Sequence, residues 1–442
     1  MSKGSIIKRE GKNGVSWLLK YNAAPDPLTG ERRQRYETVK GTKKEAQAEL
    51  RRLLSEVDKG TDVDPTNLTL REWSEQWLKK MESRVSPRTV EGYSDWLRLH
   101  VLPTLGDKKL QTLRGIHISQ LYDKLLANGF IGSKKKDQKP ETKGLSAQTV
   151  LHIHRALFQM MRAATALRLI PRNIVEDVEA PRPAQARQHE SEAAGETVKV
   201  FSREELSVLL SAFATRAEAS PKDYSKKSLH AFVILALASG CRRGELLALR
   251  WSDLDFEKGL LTVAGAISKT RKFGIKRKSE AKNKSSRRTI GIDPGVLTLL
   301  NGLRNEQKLI AVATGKLPFP SGTLIFPHLI KRAGGVGSET GGGVVDFNRP
   351  LDPTSVTKEF ALVAQGVGLN GRSLHALRHS HATDLLISGQ PVHIVAMRLG
   401  HSTPAVTLKT YAHWLPHGAD QAASAASNLM SAVLPPAGGF GT

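Results

Sequence analysis

The stretch from Ser373 to Trp414, SLHALRHSHATDLLISGQPVHIVAMRLGHSTPAVTLKTYAHW, constrains the fold more than any other, because its punctuation admits only short helices. Ser373 stands where an N-cap is wanted, Leu374, Leu377, Leu385 and Leu386 recur at helical spacing, and Gly389 stops the run. His375 and Arg378 are three apart and share a helix face. A second helix spans Pro391 to Leu399 and stops at Gly400, leaving His401 in the turn. Thr403-Pro404 opens a third helix whose last turn carries Tyr411. Two imidazoles, a guanidinium and a phenol thus converge from consecutive short helices.

An Arg fork matches the non-bridging oxygens of a phosphate. A His donates a hydrogen bond or moves a proton near neutral pH. A Tyr hydroxyl becomes a covalent nucleophile once positive neighbours lower its ordinary pKa of about 10. The set suits a phosphodiester attacked by a tyrosine; on residue types alone, a histidine-rich core segment competes with that reading.

Charge narrows the partner. A formal net charge of +24 over 442 residues makes a polyanion the leading inference. Aromatic residues are only 5%, which argues against a surface built on base stacking. The single Cys241 cannot form an internal disulfide, and its apolar context fits a buried thiol in a reducing compartment. The longest apolar run, Ala231 to Ala238, is too short to span a bilayer, and the N-terminus does not resemble a secretory signal. The expectation is a soluble cytoplasmic protein with no membrane partner.

Breaks in composition divide the chain into 1–62, 66–180, a linker at 181–198, and 199–442 with a C-terminal tail. In the first segment Val15, Trp17, Leu19 and Tyr21 alternate as a half-buried strand does, and Arg33 to Val39 makes a second strand. Thr42-Lys43-Lys44-Glu45 is a capping box that opens a helix to about Val57. A three-stranded sheet whose basic strand carries Arg32, Arg33 and Arg35 suits a DNA groove, and equally a solvated surface.

The second segment reads as all helix. Leu70, Trp73, Trp77 and Leu78 line one amphipathic helix, and Ser86-Pro87 caps another with Tyr93, Trp96, Leu97 and Val101 inward. Ile116 to Leu126 and Ser146 to Leu169 supply further helices, around a lysine-rich loop, SKKKDQKPETK, that is solvated or follows phosphates. His152 and His154 are two apart, so they do not share a face and metal binding is not expected there. From Glu176 to Lys199 the apolar period vanishes, which marks an extended linker.

After it, Leu229 to Ala238 forms a buried helix ended by Gly240. Arg242 follows at once and can project into a cleft, with Glu245 three residues on to orient a neighbour. Between Ile267 and Ile290 ten Lys or Arg residues face one Glu, flanked by candidate strands Leu260 to Val263 and Arg288 to Ile292. Lysines in such a hairpin reach a minor groove or a leaving group.

GCRRGELLALRWSDLD, AKNKSSRRTIGI, SLHALRHSHAT, LGHS and TYAH together resemble, in order and spacing, the motifs of the tyrosine recombinases, specifically phage-type integrases. The resemblance covers about 199–420. It implies a multidomain, mainly α fold with small β-sheets: a sheet-plus-helix domain reading arm-type DNA sites, a helical domain reading core-type sites, and an α+β catalytic domain. By position it implies that Arg242, His375, Arg378 and His401 are catalytic, that Tyr411 is the nucleophile of a 3′-phosphotyrosine intermediate, and that Glu245 supports them. Lys282 matches the hairpin lysine, with Lys284 as its alternative, since AKN stands where many relatives have a lysine followed by Thr. A Gly-rich insertion, Ala333 to Gly343, has no counterpart in many relatives. The implied activity is integration, and excision, of a phage or mobile element within a bacterial host, at the nucleoid. A homotetramer on two duplexes is implied, with a DNA-bending host factor and an excisionase as possible partners. No cofactor and no metal are expected, because the guanidiniums supply the charge.

Three other readings stand beside it. His375, His379, His381 and Asp384 form a conceivable metal cluster, though H-x3-H-x-H is not a usual zinc spacing and no Cys is near. A non-catalytic DNA-binding protein fits the charge but has no need of Arg242, Arg378 and Tyr411 together. A type IB topoisomerase-like enzyme shares the covalent chemistry.

Overall fold

The computed structural model describes residues 4–11, 14–23, 34–58, 63–129, 143–181, 200–278, 287–313, 322–330 and 344–414. The chain divides into two units, Met1–Gly195 and Glu196–Thr442. Lys282, Lys284, Arg32, Arg33, nearly all of the lysine-rich loop, the linker from 182 to 199, the Gly-rich insertion and the tail after Trp414 lie outside the described residues.

In the first unit, strands β1 (Gly4–Gly11), β2 (Gly14–Asn22) and β3 (Gln34–Lys40) form an antiparallel sheet in that order. The alternation along β2 puts Leu19 and Tyr21 against helix α1 (Lys43–Asp58), where they pack with Ala46, Leu50 and Leu53. Val15, in phase with them, stays exposed near the strand's start. The capping box opens α1 as its sequence dictates: Glu45 Oε2 accepts from Thr42 N at 2.7 Å, and Thr42 Oγ1 accepts from Glu45 N at 3.3 Å. Arg35 departs from the expected free basic face. Its guanidinium donates to Val63 O at 3.0 Å and pairs with the Asp64 carboxylate, so the charge is spent on the following segment.

Residues beyond Leu68 form a helical bundle with a separate core. Helix α2 (Leu70–Met81) buries Trp73 and Trp77, and Trp73 Nε1 donates to Met160 O at 3.2 Å. Helix α3 (Pro87–Trp96) starts at Ser86, whose side chain accepts from Thr89 N, and runs through a π-helical turn at Leu97–Val101 into a last turn at Leu102–Leu105. Pro103 supplies the reason: it has no N–H to return to the preceding turn, so the ladder re-phases upstream of it. Leu97 and Val101 enter the core as expected. Tyr93 and Trp96, ahead of the re-phasing, are only half-buried and line a surface groove instead.

Helices α4 (Gly115–Asn128) and α5 (Ala147–Ala166) complete the bundle. His154 meets Tyr122 Oη at 3.1 Å, whereas His152 stacks on Trp96, so the two rings diverge. The expected linker start at Glu176 is too early. Asn173 caps a 3-10 turn at Ile174–Asp177 that buries Val175 in the bundle core.

In the second unit, helices α6 (Arg203–Glu218) and α7 (Tyr224–Ser239) pack side by side, with every residue of α7 buried or half-buried. A short helix α8 (Arg243–Leu246) precedes strands β4 (Leu254–Asp255) and β5 (Leu260–Val263). The basic segment folds into a hairpin, β6 (Ala266–Thr270) and β7 (Gly274–Lys278), and β8 (Arg288–Gly291) returns to pair with β5, Leu261 opposite Ile290. Helix α9 (Pro294–Ala313) brings in Gln307, fully buried yet satisfied: it accepts from Trp251 Nε1 at 2.8 Å and donates to Ile325 O at 2.8 Å. Strands β9 (Pro327–Ile330) and β10 (Val344–Pro350), then helices α10 (Pro353–Gly366), α11 (Leu374–Ile387), α12 (Val392–Leu399) and α13 (Pro404–Tyr411), follow. Phe213 stacks on Phe360, and Phe232 meets Phe326 edge to face, at the centre of this core.

Because Trp73 is fully buried and hydrogen-bonded, Trp73→Ala should cost about 3–5 kcal/mol. Denaturant titration of the full chain, followed by far-UV circular dichroism, should show the transition that includes the bundle moving to lower denaturant.

Candidate active site

Two left-handed glycines shape the site. Gly240 ends α7 with φ of 63°, and Gly400 ends α12 with φ of 69°. A Cβ on Gly240 would lie 2.5 Å from His381 Cδ2, and one on Gly400 would lie 2.6 Å from Arg288 Nη1, so close approach as well as φ requires glycine at both. Their carbonyls face guanidiniums. Gly240 O accepts from Arg378 Nη1 at 2.7 Å, and Gly400 O receives Arg242 Nη1 and Nη2 at 3.4 Å.

Arg242 stands at the N-cap of α8, so the next turn brings Glu245 back to it. Glu245 accepts from Arg242 N at 2.8 Å and from Arg242 Nη1 at 3.0 Å. The Arg242 side chain nevertheless remains 44% exposed, with its guanidinium in the cleft. Glu245 is buried and shared: Arg288 Nη2 donates to it at 2.8 Å. Burial works to raise the Glu245 carboxyl, but the hydrogen bonds and charges of Arg288 and Arg242 outweigh it and hold the group below the usual range.

Arg288 is a residue that the motif reading passed over. Its Nε also donates to Arg398 O at 2.7 Å, which pins the turn that carries Gly400 and His401. A signal for it existed: Arg288 lies two residues before buried Ile290 in a strand, hence on the same, inward face.

Arg378 and His375 leave α11 on the same side, as their spacing predicts. Arg378 is only 3% exposed, and its Nη2 has no hydrogen-bond partner among the described residues. Burial, and then the nearby Arg242, bring Arg378 down to about 10. A buried, half-satisfied guanidinium beside a second guanidinium has the chemistry to hold an anion. Arg242, His375, Arg378 and Ser373 line a cleft of about 420 Å³ there.

His401 sits in the turn after Gly400, its Nδ1 2.7 Å from Thr407 Oγ1. Tyr411 does not have the lowered pKa expected from positive neighbours. It is 2% exposed among Ala382, Leu386, Val395 and Leu399, and burial outweighs Arg378 and pushes the phenol up to about 12. Its hydroxyl meets His379 Nδ1 at 2.7 Å, and the His379 ring meets His375 edge to face at 4.7 Å. Sequence reasoning placed His379 only in a metal cluster; the four-residue step from His375 was the signal that both rings share a face.

The structure does not bring that cluster together. His381 Nε2 accepts from Arg398 Nε at 3.0 Å, and Asp384 pairs with Arg203 at 3.3 Å, away from His375 and His379. Among the described residues no group of His, Cys, Asp and Glu is placed to hold a metal ion, and no helix is long and apolar enough to cross a membrane. Buried Cys241 has its thiol pushed up by desolvation.

Comparison with known proteins agrees with this geometry. Residues 199–417 match the model of the phage integrase family, and residues 69–126 match the phage integrase N-terminal SAM-like domain. The chain belongs to the phage integrase family. Like others of that family it is a tyrosine recombinase, an enzyme of site-specific recombination. It is 25% identical over 384 residues to a tyrosine recombinase XerC-like protein of Caldanaerobacter subterraneus subsp. tengcongensis, covering 85% of this chain and 87% of that relative. It is 27% identical to an integrase of Streptomyces ambofaciens, covering 89% and 88%. Its fold is similar to that of the Tn1549 transposon integrase in complex with transposon right end DNA, with TM-score 0.56, 18% identity, and coverage of 82% of this chain and all of that one. The integrase family thus spans both the bundle and the catalytic unit.

His379, His381 and His401 share one electrostatic situation. Burial first, then neighbouring charges, hold each at about 4, against an ordinary 6.5. The unfolded chain takes up these protons first, so their contribution is complete above about 6.5 and is lost as pH falls toward 4. The melting temperature should therefore drop steadily between pH 7 and pH 5. His381→Gln, which keeps an acceptor for Arg398 without a titrating ring, should flatten that slope; a melting temperature independent of pH would contradict the assignment.

Proposed function

We propose that Tyr411 is the nucleophile of this recombinase, attacking a DNA phosphodiester to leave a 3′-phosphotyrosine and a free 5′ hydroxyl. One observation carries the reading. Residues far apart in the chain converge on one cleft, where an exposed Arg242 and a buried, half-satisfied Arg378 face the space beside His375. The scissile phosphate sits between the two guanidiniums, which stabilise the charge that develops on its non-bridging oxygens. His375 and His401 donate hydrogen bonds, Glu245 holds Arg242 in place, and Lys282, or Lys284, protonates the departing 5′ oxygen. The phosphotyrosine keeps the energy of the broken linkage, so the 5′ hydroxyl of a second strand reverses the step without ATP and without a metal. Tyr411 is buried in this arrangement, so the site opens for the phosphate when DNA binds.

The remaining assignments belong to the same proposal. Residues 1–62 read arm-type sites, 66–180 read core-type sites, 181–198 join them to the catalytic segment 199–442, and the enzyme works as a homotetramer on two duplexes. Its setting is the bacterial cytoplasm, at the nucleoid, where a DNA-bending protein and an excisionase bias integration against excision. The groove lined by Arg88, Trp96, His152 and Arg155 supports the core-site reading, because it joins cations to a stacked ring pair. For residues 1–62, Arg35 is already paired with Asp64, which leaves arm-site contact to the other basic residues.

Tyr411→Phe removes only the attacking oxygen. It should bind a nicked suicide site normally and trap no covalent adduct on a denaturing gel. Arg242→Ala and Arg378→Ala should slow adduct formation by about 10²–10³-fold each while binding, spread over many phosphates, weakens far less. Normal cleavage by either Arg variant would make that residue a docking group.

A general acid matters only while the leaving oxygen is basic. Lys282→Ala should be slow on ordinary DNA and recover on a substrate whose bridging 5′ oxygen is replaced by sulfur. Without recovery, the role passes to Lys284 or to a histidine.

A further inference from the structure

The hydroxyl of Tyr411 is engaged by neither of the histidines that the motifs single out. His401 spends Nδ1 on Thr407, at 2.7 Å, and His375 faces the cleft with Arg242 and Arg378. The ring at hydrogen-bond distance is His379, whose Nδ1 lies 2.7 Å from Tyr411 Oη. We propose that His379 is a further catalytic residue, the base that receives the Tyr411 proton during cleavage and returns it during rejoining; this rests on Tyr411 being the nucleophile.

The proposed role sets the tautomer. To accept from the phenol, Nδ1 must carry the lone pair and Nε2 the proton. In the forward step the Tyr411 O–H bond breaks and its proton goes to Nδ1. The oxygen forms a bond to phosphorus as the bond from phosphorus to the 5′ oxygen breaks, and that oxygen takes a proton from the hairpin lysine. In rejoining, a 5′ hydroxyl returns its proton to the lysine as its oxygen bonds to phosphorus, the bond from phosphorus to the Tyr411 oxygen breaks, and the departing phenolate recovers its proton from the His379 imidazolium. The groups that face His379 are His375 and Arg378 from α11, His401 from the turn after Gly400, and Tyr411 from α13. Burial and that unbalanced positive surround hold His379 at about 4, so the ring is neutral and able to take a proton. A phosphodiester between Arg242 and Arg378 adds the missing negative charge and makes the imidazolium easier to form, which couples proton removal to substrate. Half-buried rather than enclosed, His379 also tolerates substitution without opening a core cavity.

Adduct formation by the full chain on a suicide substrate tests this with two variants. His379→Ala should bind DNA and melt normally but form adduct about 10²–10⁴-fold more slowly, and added imidazole should restore part of the rate. His379→Asn places an amide oxygen near the Nδ1 position, which accepts the phenol's hydrogen bond but cannot take its proton. It should therefore stay as slow as the alanine variant, with a rate that climbs with pH as hydroxide takes over. If His379→Asn cleaves at the wild-type rate, or His379→Ala within about threefold of it, His379 is an anchor at most and the proposal is overturned. Tyr411→Phe run alongside separates the two assignments: adduct from that variant removes the nucleophile itself, whatever the His379 variants do.

Discussion

The architecture depends on how several guanidiniums are held together with one buried carboxylate. Glu245 cannot neutralise Arg242, Arg288 and Arg378 alone. Carbonyls at two helix ends make up the difference. The C-terminus of α7 offers Gly240 O to Arg378 and Ala238 O to Arg398, and the C-terminus of α12 offers Gly400 O to Arg242. Helix C-termini carry partial negative charge and unpaired carbonyls, so they suit this purpose. Each helix must therefore stop abruptly beside an arginine, and a left-handed glycine is the residue that allows it.

That solution leaves positive charge uncompensated. One nitrogen of Arg378 is buried with no partner among the described residues, and the imidazoles of His375, His379 and His401 are all held below their ordinary value. An uncompensated positive cluster of this kind costs stability, and under the proposed mechanism a phosphate between the guanidiniums relieves it, which concentrates binding energy at the reacting centre. A lowered value favours the neutral ring, which can accept as well as donate.

Tyr411 belongs to the same design. Its ring packs with Leu386, Val395 and Leu399, so the helix that carries the proposed nucleophile is also part of a small apolar cluster that ties α11, α12 and α13 together. Burial keeps the phenol protonated and shielded, and a hydrogen bond to His379 fixes where its oxygen points. Chemistry and packing cannot be varied independently here.

Local signals were enough for much of this. The caps at Ser86 and Thr42, the glycine stops at Gly240, Gly389 and Gly400, and the face shared by His375 and Arg378 follow from short-range geometry, as does the pairing of the strands that flank the basic hairpin. Tertiary structure alone decided what lies across the chain from each residue. It made Arg288 the second partner of Glu245, sent His381 to Arg398, left Tyr93 and Trp96 only half-buried at the edge of the bundle core, carried Val175 into the bundle past the expected linker start, and raised the Tyr411 pKa instead of lowering it. The reason is range. Capping and periodicity act over a few residues, whereas burial and charge pairing depend on partners brought close only when the whole unit folds.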